Sequence, residues 1–215
     1  MAYFKKEEDI RPLFESQLEI CGVDYFDFYL MHAQSAEIFK HFKACRAYET
    51  AFELKKEGKI RHVGISFHDR AEVLEQILPL CKKYGAAVVG LAMDHNGIPQ
   101  TWEARVEIAK RIMDTALAYG IPKEDIYIDC LTLTVSAQQE QAVETLKAVR
   151  YVSEELGLHN VLGVSNISFG LPAREHITVS FLTQAMYAGL DLPIVNPNQK
   201  AIMDAVTAFR VLSGQ

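Results

Sequence analysis

The sequence predicts an α/β fold of repeated βα units on a parallel sheet, with about six strands recognised and one helix ahead of them. Three observations carry this. Short apolar runs end abruptly in polar residues, as in Asn160-Val-Leu-Gly-Val-Ser-Asn166 and Arg61-His-Val-Gly-Ile-Ser66, and read as strands covered on both faces. Each run is followed by a pattern of apolar residues at helical spacing, usually closed by glycine. The unit then repeats with strand starts roughly thirty residues apart, the length that a parallel crossover needs.

The leading helix is expected over 9–21. Ile10, Leu13, Phe14, Leu18 and Cys21 share one face, Asp9 can cap, Pro12 falls in the first turn and Gly22 ends it. Tyr25 to Met31 is rich in aromatics and reads as the first strand, with His32 at its mouth. Ser35 opens one long helix to Glu57, with Lys55 and Lys56 in its last turn and Gly58 beyond. The second strand, Ile60 to Ile65, ends at Ser66. Asp69 caps the next helix, whose apolar positions are Val73, Leu74, Ile77, Leu78 and Cys81, and Gly85 stops it.

Ala86 to Ala92 is the third strand, with Met93 and Asp94 at its mouth, and Thr101 caps a helix to Tyr119. Lone Trp102 reads as packing near that helix start. Ile126 to Ile128 is the fourth strand, followed by Asp129. Ser136-Ala-Gln-Gln139 reads as a capping box for a helix ending at Leu156–Gly157. The fifth strand is Val161 to Val164, and a helix from Arg174 to Ala188 follows. Leu192 to Val195 is the sixth strand, and Asn198 caps the last helix, to about Leu212.

Repeated right-handed crossovers give either a TIM-barrel-like arrangement or a doubly wound open sheet. No Gly-x-Gly-x-x-Gly and no phosphate-binding loop of the Gly-Lys-Ser/Thr type is present, which lowers the open dinucleotide-binding reading. The 215 residues suffice for one sizeable core, and the whole chain is expected to form a single domain. The composition, 49% hydrophobic and 23% charged with net charge −6, is that of an ordinary globular domain. No basic stripe is present, which argues against nucleic acid. No run is long enough to span a bilayer. Cys21, Cys45, Cys81 and Cys130 lie far apart and read as buried thiols of a reducing compartment, so the cytoplasm is the expected location. His41, His62, His95, His159 and His176 lack metal-ligand spacing, and no metal site is expected.

Two family resemblances divide the chain. Residues 3 to about 78 resemble the middle of an aldo/keto reductase, through Ser16-x-Leu18-Glu-x-x-Gly22-Val-Asp24-Tyr25-x-Asp27-x-Tyr29-Leu-x-His32 and Leu54-Lys-Lys-Glu-Gly58-Lys-Ile-Arg61-His-Val-Gly64-Ile-Ser66-Phe-His68. Residues 79 to 213 resemble the second half of a pterin-binding barrel, as found in corrinoid-dependent methyltetrahydrofolate methyltransferases. The carrying stretches are Tyr84-Gly-Ala-Ala-Val-Val-Gly-Leu-Ala-Met-Asp94-x-x-Gly97-Ile-Pro99, Ile128-Asp129-Cys-Leu-Thr-Leu-Thr-Val-Ser136-Ala-Gln-Gln, Gly163-Val-Ser-Asn166-Ile-Ser-Phe-Gly-Leu-Pro172 and Ala188-Gly-Leu-Asp191. The simplest reading is an engineered chimera, spliced around Leu78–Pro79–Leu80 within a helix, where Leu74, Leu78 and Cys81 keep the apolar spacing in phase.

The resemblances imply the site residues. His32 resembles a reductase catalytic histidine, but the family's Asp, Tyr and Lys have no counterpart in this chain. His32 and the cofactor-side Ser66 therefore read as remnants, and NADPH-dependent carbonyl reduction is the remotest function. Asp129 and Asn166 match residues that hydrogen-bond the pterin ring in the second family, and Asn196 joins them as a candidate. Ser66 and His68 stand where a further polar contact would be. Weak binding of tetrahydrofolate or another pterin is thus the first alternative to a scaffold with no native activity and no cofactor. No cobalamin-binding segment accompanies the site. Six strands are fewer than the eight of a complete barrel. The expectation is a partial barrel dimerising through its open edges, a strained closed one, or an N-terminal segment pairing as an extra strand.

Overall fold

A computed structural model describes residues 4–67 and 71–214, the side chains of 33, 67, 71–76 and 84 excepted. The expected cap Asp69 and the site residue His68 lie outside the described residues, as do the side chains of Val73 and Leu74. The helices are α1 (Ile10–Cys21), α2 (Ala36–Ala44), α3 (Ala47–Lys56), α4 (Ala71–Tyr84), α5 (Trp102–Ala118), α6 (Gln141–Glu154), α7 (Arg174–Tyr187) and α8 (Lys200–Ser213). The strands are β1 (Phe26–Gln34), β2 (Ile60–Phe67), β3 (Ala87–Leu91), β4 (Ile126–Asp129), β5 (His159–Gly163) and β6 (Leu192–Ile194). Their order in the sheet is β1-β2-β3-β4-β5-β6, and β1–β2, β2–β3, β4–β5 and β5–β6 pair in parallel. This is the α/β, TIM-barrel-like repetition read from the sequence. Among the described residues, no helix is long and apolar enough to cross a membrane.

The chain separates into two compact units, 1–89 with 116–125, and 90–115 with 126–215. In the first, α1 buries Ile10, Phe14 and Leu18. Each such side chain contributes about 1.5–3 kcal/mol on leaving water. Phe14 meets Phe26 and Tyr29 of β1 edge-on, at 5.6 and 5.2 Å between centroids. Cys21, expected on that face, is exposed, because it is the last residue before the Gly22 turn at φ +64°. Asp9 precedes α1 but does not cap it. Its carboxylate instead accepts from the backbone N–H groups of Lys5 and Lys6.

The helix expected over 35–57 is two helices. Ser35 caps α2 by accepting from Ile38 N, but Arg46 takes φ +53° and breaks the run before α3. A non-glycine residue in that region is unfavourable. Arg46 is held there by the helix starting after it, since its carbonyl accepts from both Thr50 N and Thr50 Oγ1. Val63 and Ile65 of β2 face Ile77 and Cys81 of α4 across a cavity of about 30 Å³. Leu78 and Cys81, at the expected splice, are both buried, with Pro79 exposed inside the helix.

In the second unit Ile126 and Ile128 of β4, Leu162 of β5 and Leu182 of α7 are fully buried. A Cβ on Gly90 would stand 2.6 Å from Ile112 Cγ2, so only glycine lets α5 pack this closely on the end of β3. The sequence places the start of the next helix at Ser136, but α6 begins at Gln141 without a side-chain cap. The Ser136 hydroxyl is committed elsewhere, donating to Phe169 O at 2.9 Å. Asn198 likewise does not cap α8. Gln199 occupies that position, and the Asn198 N–H closes a turn on Asn196 Oδ1.

Candidate functional site

Of the polar residues expected at strand mouths, His32 and Ser66 are in contact, and Asp129, Asn166 and Asn196 follow neighbouring strands. In the first unit, Ser66 Oγ lies 2.8 Å from His32 Nδ1, linking the ends of β2 and β1. Ser66 is buried and His32 exposed. The other three lie in the second unit, where parallel strands place all their carboxyl ends on one edge of the sheet. Asp129 ends β4 and pairs in register with Val161, and Gly163 of β5 pairs with Ile194 of β6, two residues before Asn196. Asp129, Asn166 and Asn196 therefore follow three neighbouring strands, roughly 4.8 Å apart from one strand to the next.

Asp129 is the half-buried member. Burial pushes its carboxyl from 3.8 up to about 6, and the opposing influence is the backbone N–H of Leu131. That N–H donates to Asp129 Oδ1 at 2.8 Å. No described residue bonds Oδ2, and each carboxylate oxygen has room for further donors. Leu131 makes this bond from φ +62°, a conformation costing about 1–2 kcal/mol for a residue with a side chain. Strain of this kind is found where the surrounding structure over-determines it.

Asn166 lies in the 3₁₀ turn Val164–Ser168 that follows β5. Its amide folds back over the strand end, so that a Cβ on Gly163 would be 3.0 Å from Nδ2. Asn166 and Asn196 are both exposed, with Asn196 Oδ1 engaged by Asn198 N. Asp94, at the end of β3, closes a tight turn with Gly97, and its carboxylate accepts from Asn96 N at 2.8 Å.

Sequence reasoning missed Arg105. It is 0% exposed, on α5, and its guanidinium donates to the carbonyls of Pro99 at 2.9 Å and of Cys130 and Leu131 at 3.1 Å each. It also donates to Thr145 Oγ1 at 2.8 Å and to Gln141 Oε1. Burial lowers its pKa. The signal was in the spacing, since Arg105 shares the i, i+3, i+4 apolar stripe with buried Ile108 and Ala109.

Elsewhere, a groove of about 610 Å³ runs between α6, α7 and α8, lined by Val143, Tyr187, Phe209 and Leu212 among others, and shares no residue with the strand ends. Among the described residues no group of three His, Cys, Asp or Glu is arranged to hold a metal ion. His41 bonds Phe4 O, and His159 stacks on Tyr127 beside Asp191.

Parallel βα units with polar residues at the strands' carboxyl ends define an α/β scaffold of the TIM-barrel kind. The pterin-binding enzyme family matches residues 68–196, and the chain belongs to it. The aldo/keto reductase family matches residues 2–122, and the chain belongs to that family also. The two matches overlap from 68 to 122, whereas the motifs place the change-over near 78. Methionine synthase of Mycobacterium leprae is 38% identical over 130 residues, 57% of this chain and 11% of that protein. Methylcorrinoid:tetrahydrofolate methyltransferase of Eubacterium limosum is 28% identical over 169 residues, 66% of this chain and 62% of that protein. The chain thus spans only part of these relatives. Dihydropteroate synthase of Yersinia pestis, solved with a pterine-sulfa conjugate, shares the fold with a TM-score of 0.60 at 13% identity, over 96% of this chain and 90% of that one.

Proposed function

We propose that this chain binds a reduced pterin or folate at the carboxyl ends of β4, β5 and β6, without turning it over. The observation that carries the reading is Asp129, a half-buried carboxylate whose Oδ2 is bonded by none of the described residues, followed on the two neighbouring strands by ends that each supply an amide. A pterin ring presents its 2-amino group and adjacent ring N–H as parallel donors, which a carboxylate edge accepts as a pair. Asn166 and Asn196 each offer a donor and an acceptor to the remaining ring edge. The similarity to methylcorrinoid:tetrahydrofolate methyltransferase supports the ligand class. The meeting of two barrel families in one chain supports an engineered chimera, whose scaffold keeps a binding surface without the partners of methyl transfer or hydride transfer.

Calorimetric titration with tetrahydrofolate at pH 7.5 tests this. Losing a hydrogen bond to a charged group costs about 1.5–3 kcal/mol and a neutral one about 0.5–1.5 kcal/mol, so Asp129→Asn is expected to weaken binding roughly ten- to hundred-fold and Asn166→Ala roughly two- to ten-fold. No binding, or binding indifferent to both changes, removes the reading. Turnover of a methylated folate or of a carbonyl compound with NADPH removes the scaffold half of it.

A further inference from the structure

We propose that Arg105 is a positioning residue for the pterin site: by gripping the carbonyls of Cys130 and Leu131 it holds Leu131 left-handed and so aims the Leu131 N–H at Asp129. The inference rests on the pterin reading for its ligand but not for its geometry. A guanidinium has five N–H donors in a rigid fork and no acceptor. At Arg105 these donors go to neutral oxygens from three different segments: the loop before α5 at Pro99, the turn after β4 at Cys130 and Leu131, and the first turns of α6 at Gln141 and Thr145. A buried cation without a carboxylate in hydrogen-bond contact is costly, and it persists where its directional bonds fix a backbone that would otherwise relax.

What it fixes is the peptide joining Cys130 to Leu131 and the one after it. Thr145 Oγ1 reinforces the grip, lying 3.1 Å from Leu131 O while accepting from Arg105. With both carbonyls turned toward Arg105, the N–H of Leu131 points back to Asp129 Oδ1. The clamp thereby decides how the carboxylate edge is turned toward a ligand, with Oδ1 accepting one bond and Oδ2 none from the described residues. The titratable groups around this turn are Asp129, Cys130, Arg105 and, on α6, Glu144.

The test is the ¹³C titration of the Asp129 carboxyl in the ligand-free chain, with tetrahydrofolate titration as a second arm. In Arg105→Lys, which keeps a cation but not the fork, the Leu131 bond loosens. The Asp129 midpoint should then rise by about half a pH unit or more and Leu131 amide exchange should quicken. Tetrahydrofolate affinity should fall about ten-fold, and added guanidinium should restore the midpoint in Arg105→Ala. A folded Arg105→Lys that loses stability but keeps the wild-type Asp129 midpoint and Leu131 exchange overturns the proposal. If neither Arg105 variant folds, Thr145→Val decides: the same upward movement in smaller measure supports the clamp, and an unmoved midpoint overturns it. Absence of tetrahydrofolate binding by the wild-type chain removes the pterin reading alone and leaves the carboxyl titration to judge the clamp.

Discussion

The amide nitrogen of Asn166 would stand 3.0 Å from a Cβ on Gly163, so the missing side chain at the end of β5 is what lets the amide rest over the strand. Gly163 has φ −74°, which alanine adopts without strain. Gly163→Ala is therefore expected to leave the melting temperature within a few degrees while displacing Asn166 by a few tenths of an ångström and weakening tetrahydrofolate several-fold. Affinity equal to wild type in a crystallographically shifted Asn166 removes that amide from the site.

Asp129 gives a pH dependence of definite sign. Its folded carboxyl titrates near 6 against 3.8 for an ordinary aspartate. The folded chain therefore holds the proton more tightly, and the associated stability is present below about pH 4 and lost as pH rises through 6. Asp129→Asn should stabilise the fold at pH 7 by about 1–3 kcal/mol and much less at pH 4, measured by urea unfolding. Ligand affinity should run the other way, falling as pH drops below about 6 and the carboxylate is lost. A stability gain that is the same at both pH values removes the titration of Asp129 as its cause.

Asn160 is fully buried at the start of β5, and every part of its amide is used. Nδ2 donates to Val149 O of α6 and Gly189 O before β6, and Oδ1 accepts from the Cys130 thiol. Asn160→Leu removes all three of these bonds at a fully buried position and should cost about 2–4 kcal/mol in chemical denaturation. A loss under 1 kcal/mol would show that those carbonyls find other partners.

On β1, Phe28 and Leu30 are 40% and 36% exposed, and β2 is the one strand with which β1 shares a register among the described residues. We expect the other edge to pair with a second copy of the chain. Light scattering should show a concentration-dependent dimer that Leu30→Lys converts to monomer. A strict monomer at every concentration rules this out.

The strand mouths were legible because a parallel strand buried on both faces leaves a plain mark, an apolar run stopped by a polar residue, and Ser66, Asp129 and Asn166 all stand at or just past such stops. Helix starts were less legible. Ser136 has the composition of a cap, yet its hydroxyl is drawn to Phe169 O by a contact 33 residues away. The break at Arg46 left no trace because neither glycine nor proline marks it. Arg105 was hidden for a related reason: a cation on an amphipathic helix normally reads as a solvated face, and only the carbonyls collected by the fold make its burial tolerable.

The four thiols are distributed so that the protein reports its own opening. Cys21 is exposed, whereas Cys45 and Cys81 are buried in the first unit and Cys130 in the second, with burial pushing Cys81 up to about 12 and Cys130 upward as well. An alkylating reagent meets one reactive sulfur in the native chain. Peptide mapping of the others under rising urea would time the loosening of each compact unit separately, showing whether the two share a single cooperative transition.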